Sequence, residues 1–186
     1  MWGEGGRIII TTSRRPRPRS RSLVKDLVSV IPGSIRLTRG HSSYEDLARE
    51  AIRLNADRIV VIGERKGNPG IIRVYEPTRE LKLVNIVTFI VLGVKLAREA
   101  RSSKPQEPKA LLVETDGSEV ADEFAEAMIR AFHAKLKVED RTDDSVIAYI
   151  KTLSEDSVRL EFYWRGRIAG PLLKLRKPRV MIKLLR

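Results

Sequence analysis

Apolar residues recur along this chain in two rhythms, short consecutive runs and stripes spaced three or four residues apart, and these rhythms predict its elements. Arg7 to Thr12 holds three isoleucines followed by two threonines, a short buried strand. An Arg/Pro/Ser loop follows, where Pro16 and Pro18 disfavour regular helix or central strand. Leu23, Val24, Leu27, Val28 and Ile31 then share one face of a helix that begins near Ser20 or Ser22 and stops at Pro32-Gly33. Ser43 with Asp46 three residues on predicts the cap of a second helix, whose apolar face is Leu47, Ala48, Ala51, Ile52 and Leu54. Asn55 closes it. Arg58 to Ile62 and Ile71 to Tyr75 read as the strands of a hairpin around the Gly/Pro-rich turn Glu64 to Gly70, and Leu81 to Gly93 as a long β-branched strand.

Arg98 to Lys109, with Pro105 and Pro108 among charges, reads as a linker. Beyond it the opening pattern returns. Leu111 to Thr115 is a strand, Asp116-Gly117-Ser118 a turn with a cap, and Val120, Phe124, Ala127, Met128, Ala131 and Phe132 one face of a helix. Strand, turn and helix thus occur twice, a pattern expected of an internal duplication. Strands at Val146 to Leu153 and Val158 to Trp164 flank the turn Glu155-Asp156, and Ile168 to Leu185 is strand-like but broken at Gly170-Pro171 and Pro178. Helices interleaved with strands and hairpins predict an α/β fold, a mixed β-sheet with helices packed on it. The strand order does not follow from the pattern.

Charge sharpens this picture. The 186 residues carry a net charge of +12, and its distribution is uneven. Ser13 to Gly40 contains eight basic residues and one acid, and Arg165 to Arg186 eight basic residues and no acid. Residues 41–164 hold 19 basic and 22 acidic residues, a net of −3. Positive charge segregated to the two ends is the footprint of a polyanion binder. The hydrophobic content of 42% suffices for a core, whereas the longest apolar stretch, Leu83 to Leu96, is interrupted by Asn85, Thr88 and Lys95 and is too short to span a bilayer. Met1-Trp2-Gly3-Glu4 lacks the order of a signal peptide, so a cytoplasmic location is expected, with no membrane partner. The absence of cysteine excludes disulfides, a thiol nucleophile and thiolate-bound metal.

The candidate chemistry is cationic. Arg14, Arg15, Arg17, Arg19 and Arg21 lie where a strand hands over to a helix, continued by Lys25, and guanidinium forks match phosphate oxygens two at a time. Prolines hold that segment extended and space its charges. Arg36 and Arg39 lie between the first two helices, where they suit either phosphate contact or the basic edge strand that discourages aggregation. Arg65 and Lys66 are presented by a turn, and Arg165 and Arg167 open the C-terminal basic block. Aromatic residues make up only 5%, which favours recognition of backbone and shape over stacking on unpaired bases.

Nothing assembles into a catalytic set, a metal site or a cofactor site. Gly63 to Gly70 lacks the Gly-Lys-Ser/Thr ending of a phosphate-binding loop. Asp116, Glu119, Asp122, Glu123 and Glu126 are explained by the dipole of the helix they begin, and Asp140, Asp143 and Asp144 by a turn. His41 and His133 fall in no ligand spacing, and His133 reads as a helix-end residue. The expectation is an RNA-binding protein that is not an enzyme and takes no small-molecule substrate. The alternative is an interaction module that docks an acidic partner protein.

Thr12-Ser13-Arg14-Arg15-Pro16, a helix ending at Pro32, Arg39-Gly40, and Glu76-Pro77-Thr78 after a Gly/Pro turn together resemble a Brix domain. Leu160 to Leu175, with Arg165-Gly166 and Gly170-Pro171, is similar to the end of that domain. The resemblance spans nearly the whole chain, residues 1–186, as a single domain with halves at about 1–97 and 110–186 joined by a linker at about 98–109. It implies two similar α/β halves, each like the anticodon-binding domain of some aminoacyl-tRNA synthetases. It also implies ribosome biogenesis as the function, with ribosomal RNA or its precursor and ribosome assembly proteins as partners. The branch most resembled acts on the small subunit, in the nucleolus where the source is eukaryotic, and the short length implies a minimal, archaeal-like form. Ser13-Arg14-Arg15-Pro16 has one residue more than the commonest family start, and Tyr75-Glu76-Pro77-Thr78 is shorter than the usual version of that turn.

Overall fold

A computed structural model describes residues 6–138 and 144–180, the last by its backbone. Arg7–Thr12 forms strand β1 and Pro18–Val30 helix α1. α1 starts earlier than the sequence pattern suggests. Pro18 stands in its first turn, where a missing N–H costs nothing and a fixed φ is already helical, so only Pro16 acts as a barrier. Ser34–Arg36 is the short strand β2. Tyr44–Arg53 is α2, with Ser43 and Asp46 exchanging hydrogen bonds as the expected capping box.

Ala56–Arg65 (β3), Asn68–Pro77 (β4) and Leu83–Lys95 (β5) form an antiparallel meander. The first two strands run further than their apolar runs, because ladder pairing carries them through polar flanks to a two-residue turn. Lys66 and Gly67, both at positive φ (50° and 77°), make a type I′ connection. The supposed linker begins with a single helical turn, α3 (Ala97–Ala100). Then come β6 (Ala110–Thr115), α4 (Glu119–Phe132), β7 (Lys135–Leu136), β8 (Ser145–Ser154), β9 (Ser157–Trp164) and β10 (Arg167–Val180). β10 is not broken at Gly170-Pro171 or Pro178. Shifts of register between Ala169 and Leu173 and between Arg176 and Arg179 absorb those residues as bulges. Residues 181–185 of the expected terminal strand lie outside the described residues, as do Asp140, Asp143, Lys183 and Arg186.

The ten strands make one sheet in the order β2-β1-β3-β4-β5-β10-β9-β8-β6-β7. Inward from either edge the connections are alike: a parallel trio centred on β1 or β6, then an antiparallel meander, with β5 and β10 pairing antiparallel at the centre. α1 and α4 cover one face, each reaching past its own wing, so that α1 packs on β10 and α4 on β5. Phe89 of β5 stacks against Phe124 and Phe132 of α4 with ring centroids 6.3 and 6.2 Å apart. Such pairs add about 0.5–1.5 kcal/mol beyond the area they bury. α2 lies on the opposite face, burying Leu47 and Ala51 against Ile9, Ile59 and Val61. This explains the isoleucine run in β1: Ile8 and Ile10 face α1 while Ile9 faces α2, and all three are buried.

Candidate nucleic-acid interface

The β1–α1 loop is built on one carboxylate. Arg17 is the residue before α1, in extended conformation, and its side chain caps nothing. Glu64, near the end of β3, takes over that task. Its Oε1 accepts hydrogen bonds from the backbone N–H of Arg17 and the hydroxyl of Ser20, both at 2.6 Å. A negative charge at a helix N-terminus also complements the helix dipole. Glu64 thereby draws the arginine loop onto the β3–β4 hairpin, and the Arg17 side chain lies beside Gly67 at its tip. Arg15 adopts a left-handed conformation (φ 52°).

Most of the candidate cations gather there. β1, β2 and β3 are parallel, so their C-terminal ends place the β1–α1 loop, Arg36 and the Lys66 turn at one end of the sheet. Arg14, Arg15, Arg21, Lys25, Arg36, Arg65 and Lys66 are exposed and make no hydrogen bond or ion pair through their side chains among the described residues. Between the β1–α1 loop and residues 36–41 opens a cleft of about 280 Å³ lined by Arg15, Pro16, Arg21, Arg36, Arg39 and His41. Arg21 and Lys25, four residues apart, continue the same side along α1.

Two candidates are engaged inside the fold instead. Arg39 is only 7% exposed. Its Nε donates to the Ser42 carbonyl at 3.1 Å, and its guanidinium lies 4.6 Å from the Tyr44 ring centroid, so it holds the β2–α2 loop. Arg19 pairs with Glu99 at 2.5 Å and donates to the Val94 carbonyl at 3.0 Å, tying α1 to the end of β5. The Arg19 hydrogen bond holds the Glu99 carboxyl below its ordinary pKa.

Arg165 and Arg167 flank the β9–β10 turn, which the register of β10 on β5 places at the same end of the sheet. Four strand spacings, roughly 19 Å, separate β10 from β1. Arg165 stacks 5.4 Å from the Trp164 ring and lies 3.9 Å from Asp144. Exposed Lys95, Arg98 and Arg101 stand between the two groups, at the end of β5 and around α3. The sequence pattern hid Arg98 and Arg101 among linker charges and Lys95 as a break in an apolar stretch. The rest of the C-terminal block is divided. Lys177 pairs with Glu123 of α4 at 2.6 Å, whereas Lys174 and Arg176 alternate onto the face opposite α1 and α4.

The acidic cluster that opens α4 is structural. Asp116 accepts from the Thr152 backbone N–H at 2.7 Å, which holds its carboxyl below the ordinary range, and Ser118 caps the Ala121 N–H. His133 ends α4 in a left-handed conformation and bonds Asp57 at 2.9 Å. Among the described residues no group of three or more His, Cys, Asp or Glu could hold a metal ion, and no helix is long and apolar enough to cross a membrane.

No family model matches the chain. A protein of Aeropyrum pernix, described as a probable Brix domain-containing ribosomal biogenesis protein, is 51% identical over 176 residues, covering 94% of this chain and 97% of its own length. This chain belongs to the Brix domain family. The crystal structure of the probable ribosomal biogenesis protein from Aeropyrum pernix K1 superposes on this Brix domain with a TM-score of 0.89 at 51% identity, covering 96% of this chain and 100% of the other. The crystal structure of Mil, an archaeal Imp4-like protein, shares the fold with a TM-score of 0.67 at 24% identity, covering 93% and 99% of the two chains. In this Brix domain the short Pro77-Thr78 turn is closed locally. The Thr78 N–H donates to the Lys82 carbonyl at 2.8 Å, and the Lys82 N–H donates to the Thr78 hydroxyl at 3.2 Å.

Proposed function

We propose that this Brix-domain protein is a non-enzymatic ribosome biogenesis factor that binds precursor ribosomal RNA along the basic end of its sheet and assists folding or processing of that RNA. The relatives are named ribosomal biogenesis proteins. One observation carries the RNA assignment: cationic side chains from three separate segments (Arg14, Arg15 and Arg21; Arg36; Arg65 and Lys66) converge on one sheet end without internal carboxylate partners among the described residues. Like charges held this close repel one another at a cost in stability, and a bound polyanion relieves that repulsion. The cleft between the loops, at about 280 Å³, is at the small end of ligand pockets and suits a sugar-phosphate segment of a longer strand. Lys95, Arg98 and Arg101 extend the track toward Arg165 and Arg167. Since the contacts are to phosphates, the protein reads backbone and shape, and it works in the cytoplasm on assembling particles.

The test is RNA binding by the Arg14→Ala/Arg15→Ala/Arg21→Ala variant. All three side chains are exposed, so the variant keeps its fold by circular dichroism. Its affinity falls by a similar factor for unrelated RNA sequences, as phosphate contacts require. Unchanged affinity removes the sheet end as the binding site.

A further inference from the structure

The two wings of the sheet differ on the face opposite α1 and α4. In the first wing Ile9, Ile59 and Tyr75 form a row across adjacent strands, and α2 roofs it. The same pairing registers put Leu112, Ile147 and Tyr163 in the matching row of the second wing, with Ile168 beside Tyr163 on β10. No described helix takes the place of α2 over this row, and at its end Ser103 hydrogen-bonds the Ile168 carbonyl. Residues 37–55, which contain α2, connect β2 to β3, whereas only residues 137–144 connect β7 to β8, fewer than the 10 residues of α2 itself. Leu112, Ile147 and Tyr163 are therefore only half-buried, and Ile168 is 38% exposed.

Charge changes along with cover. Lys135 and Lys137 occupy the positions of Ile35 and Leu37: Lys135 is opposite Leu112 as Ile35 is opposite Ile9, and the N–H of Lys137 bonds Val113 as that of Leu37 bonds Ile10. Lys151 and Arg159 likewise replace Gly63 and Ile71, with Lys174 next to Arg159 on β10. Among the described residues, the two acids on this face are already committed. Glu114 pairs with Lys137 at 3.0 Å, and Glu161 pairs with Arg159 at 2.7 Å while accepting the Tyr163 hydroxyl at 2.6 Å.

We propose that this face docks an acidic amphipathic helix from a partner protein, seated over Leu112, Ile147, Tyr163 and Ile168 as α2 is seated over the first wing. The row supplies the apolar contact, and exposed Lys151 and Lys174 select negative flanks. α2 is the template on the same chain, with Leu47 and Ala51 on its buried side and Glu45 and Asp46 in its first turn. A nucleic acid fits less well, because the two carboxylates stand within the face and the Tyr163 hydroxyl is held by one of them. The inference is independent of the RNA assignment, which uses the end of the sheet and not this face.

The probe is a fluorescent peptide of residues 42–55 carrying Arg49→Glu and Arg53→Glu, titrated with the full-length protein and followed by anisotropy. Saturable micromolar binding is expected, weakened about tenfold or more both by Lys151→Glu/Lys174→Glu and by Ile168→Asp. The charge variant keeps its thermal melt and its RNA affinity. No binding at millimolar peptide overturns the proposal, as does binding indifferent to these substitutions. RNA affinity lost with Lys151→Glu/Lys174→Glu would make the face a nucleic-acid surface instead, and self-association abolished by Ile168→Asp would make it an interface between copies of this chain.

Discussion

Glu64 is the residue on which the proposed interface turns, although it carries the wrong charge to touch RNA. Its carboxylate holds the Arg17 N–H and the Ser20 hydroxyl, and so it fixes where the arginine loop begins. Glu64→Ala removes a negative charge from a basic surface, and bulk electrostatics alone would then strengthen RNA binding. The loop geometry predicts the reverse: weaker binding, and a loss of about 0.5–2 kcal/mol in stability for the missing helix cap, read by filter binding and urea unfolding. Charge pattern alone could not single out this residue, since its partners are 47 and 44 positions away in sequence. The internal contacts of Arg39 were hidden too. Its place in the basic run was plain, but burial against Tyr44 depends on how α2 packs.

At the scale of elements, strands and helices announced themselves wherever one face is apolar, and misled where proline and glycine suggested breaks. Ser43 and Asp46 were legible because a capping box is local. β10 was not, because whether Gly170-Pro171 breaks a strand or bulges within it depends on the partners β5 and β9. Gly170 also has a positive φ of 61°, and a Cβ there would lie 2.5 Å from Cγ1 of buried Val30. The missing side chain thus lets α1 sit down on β10. Gly170→Ala therefore combines backbone strain with overpacking and should cost about 2 kcal/mol or more, lowering the melting temperature, whereas Gly117→Ala has open space around it and incurs backbone strain alone.

At the scale of the whole molecule, the repeat of strand, turn and helix was visible in the sequence, but the way the wings join was not. Pairing of β5 with β10 and the reach of each helix across the centre are contacts between residues far apart in the chain. The basic rim was half visible for the same reason: Lys95, Arg98 and Arg101 reach the track only because the sheet places the end of β5 between β1 and β10. The wings are also tied by polar contacts at the end of α4. Arg58 donates to the Arg130 carbonyl at 3.1 Å, and His133 bonds Asp57. Burial works to raise the Asp57 carboxyl, but the hydrogen bond and charge of His133, with Arg58, hold it below its ordinary pKa. A carboxylate lowered in the folded state contributes stability that is full above its unfolded pKa and disappears as pH falls through the folded one. Asp57→Asn should therefore destabilise the protein near neutrality, and the gap from wild type should close in acid below the ordinary aspartate range, as followed by chemical denaturation across pH.

The central claim is that clustered cations at one sheet end meet the phosphates of an RNA strand. The most direct test is the salt dependence of RNA affinity for the wild-type protein and for the Arg14→Ala/Arg15→Ala/Arg21→Ala variant. If about five phosphates of a single strand are neutralised, the log–log slope is near −3.5, and the loss of three contacts makes it shallower by about 2. A wild-type slope near zero, or one left unmoved in the variant, contradicts the account.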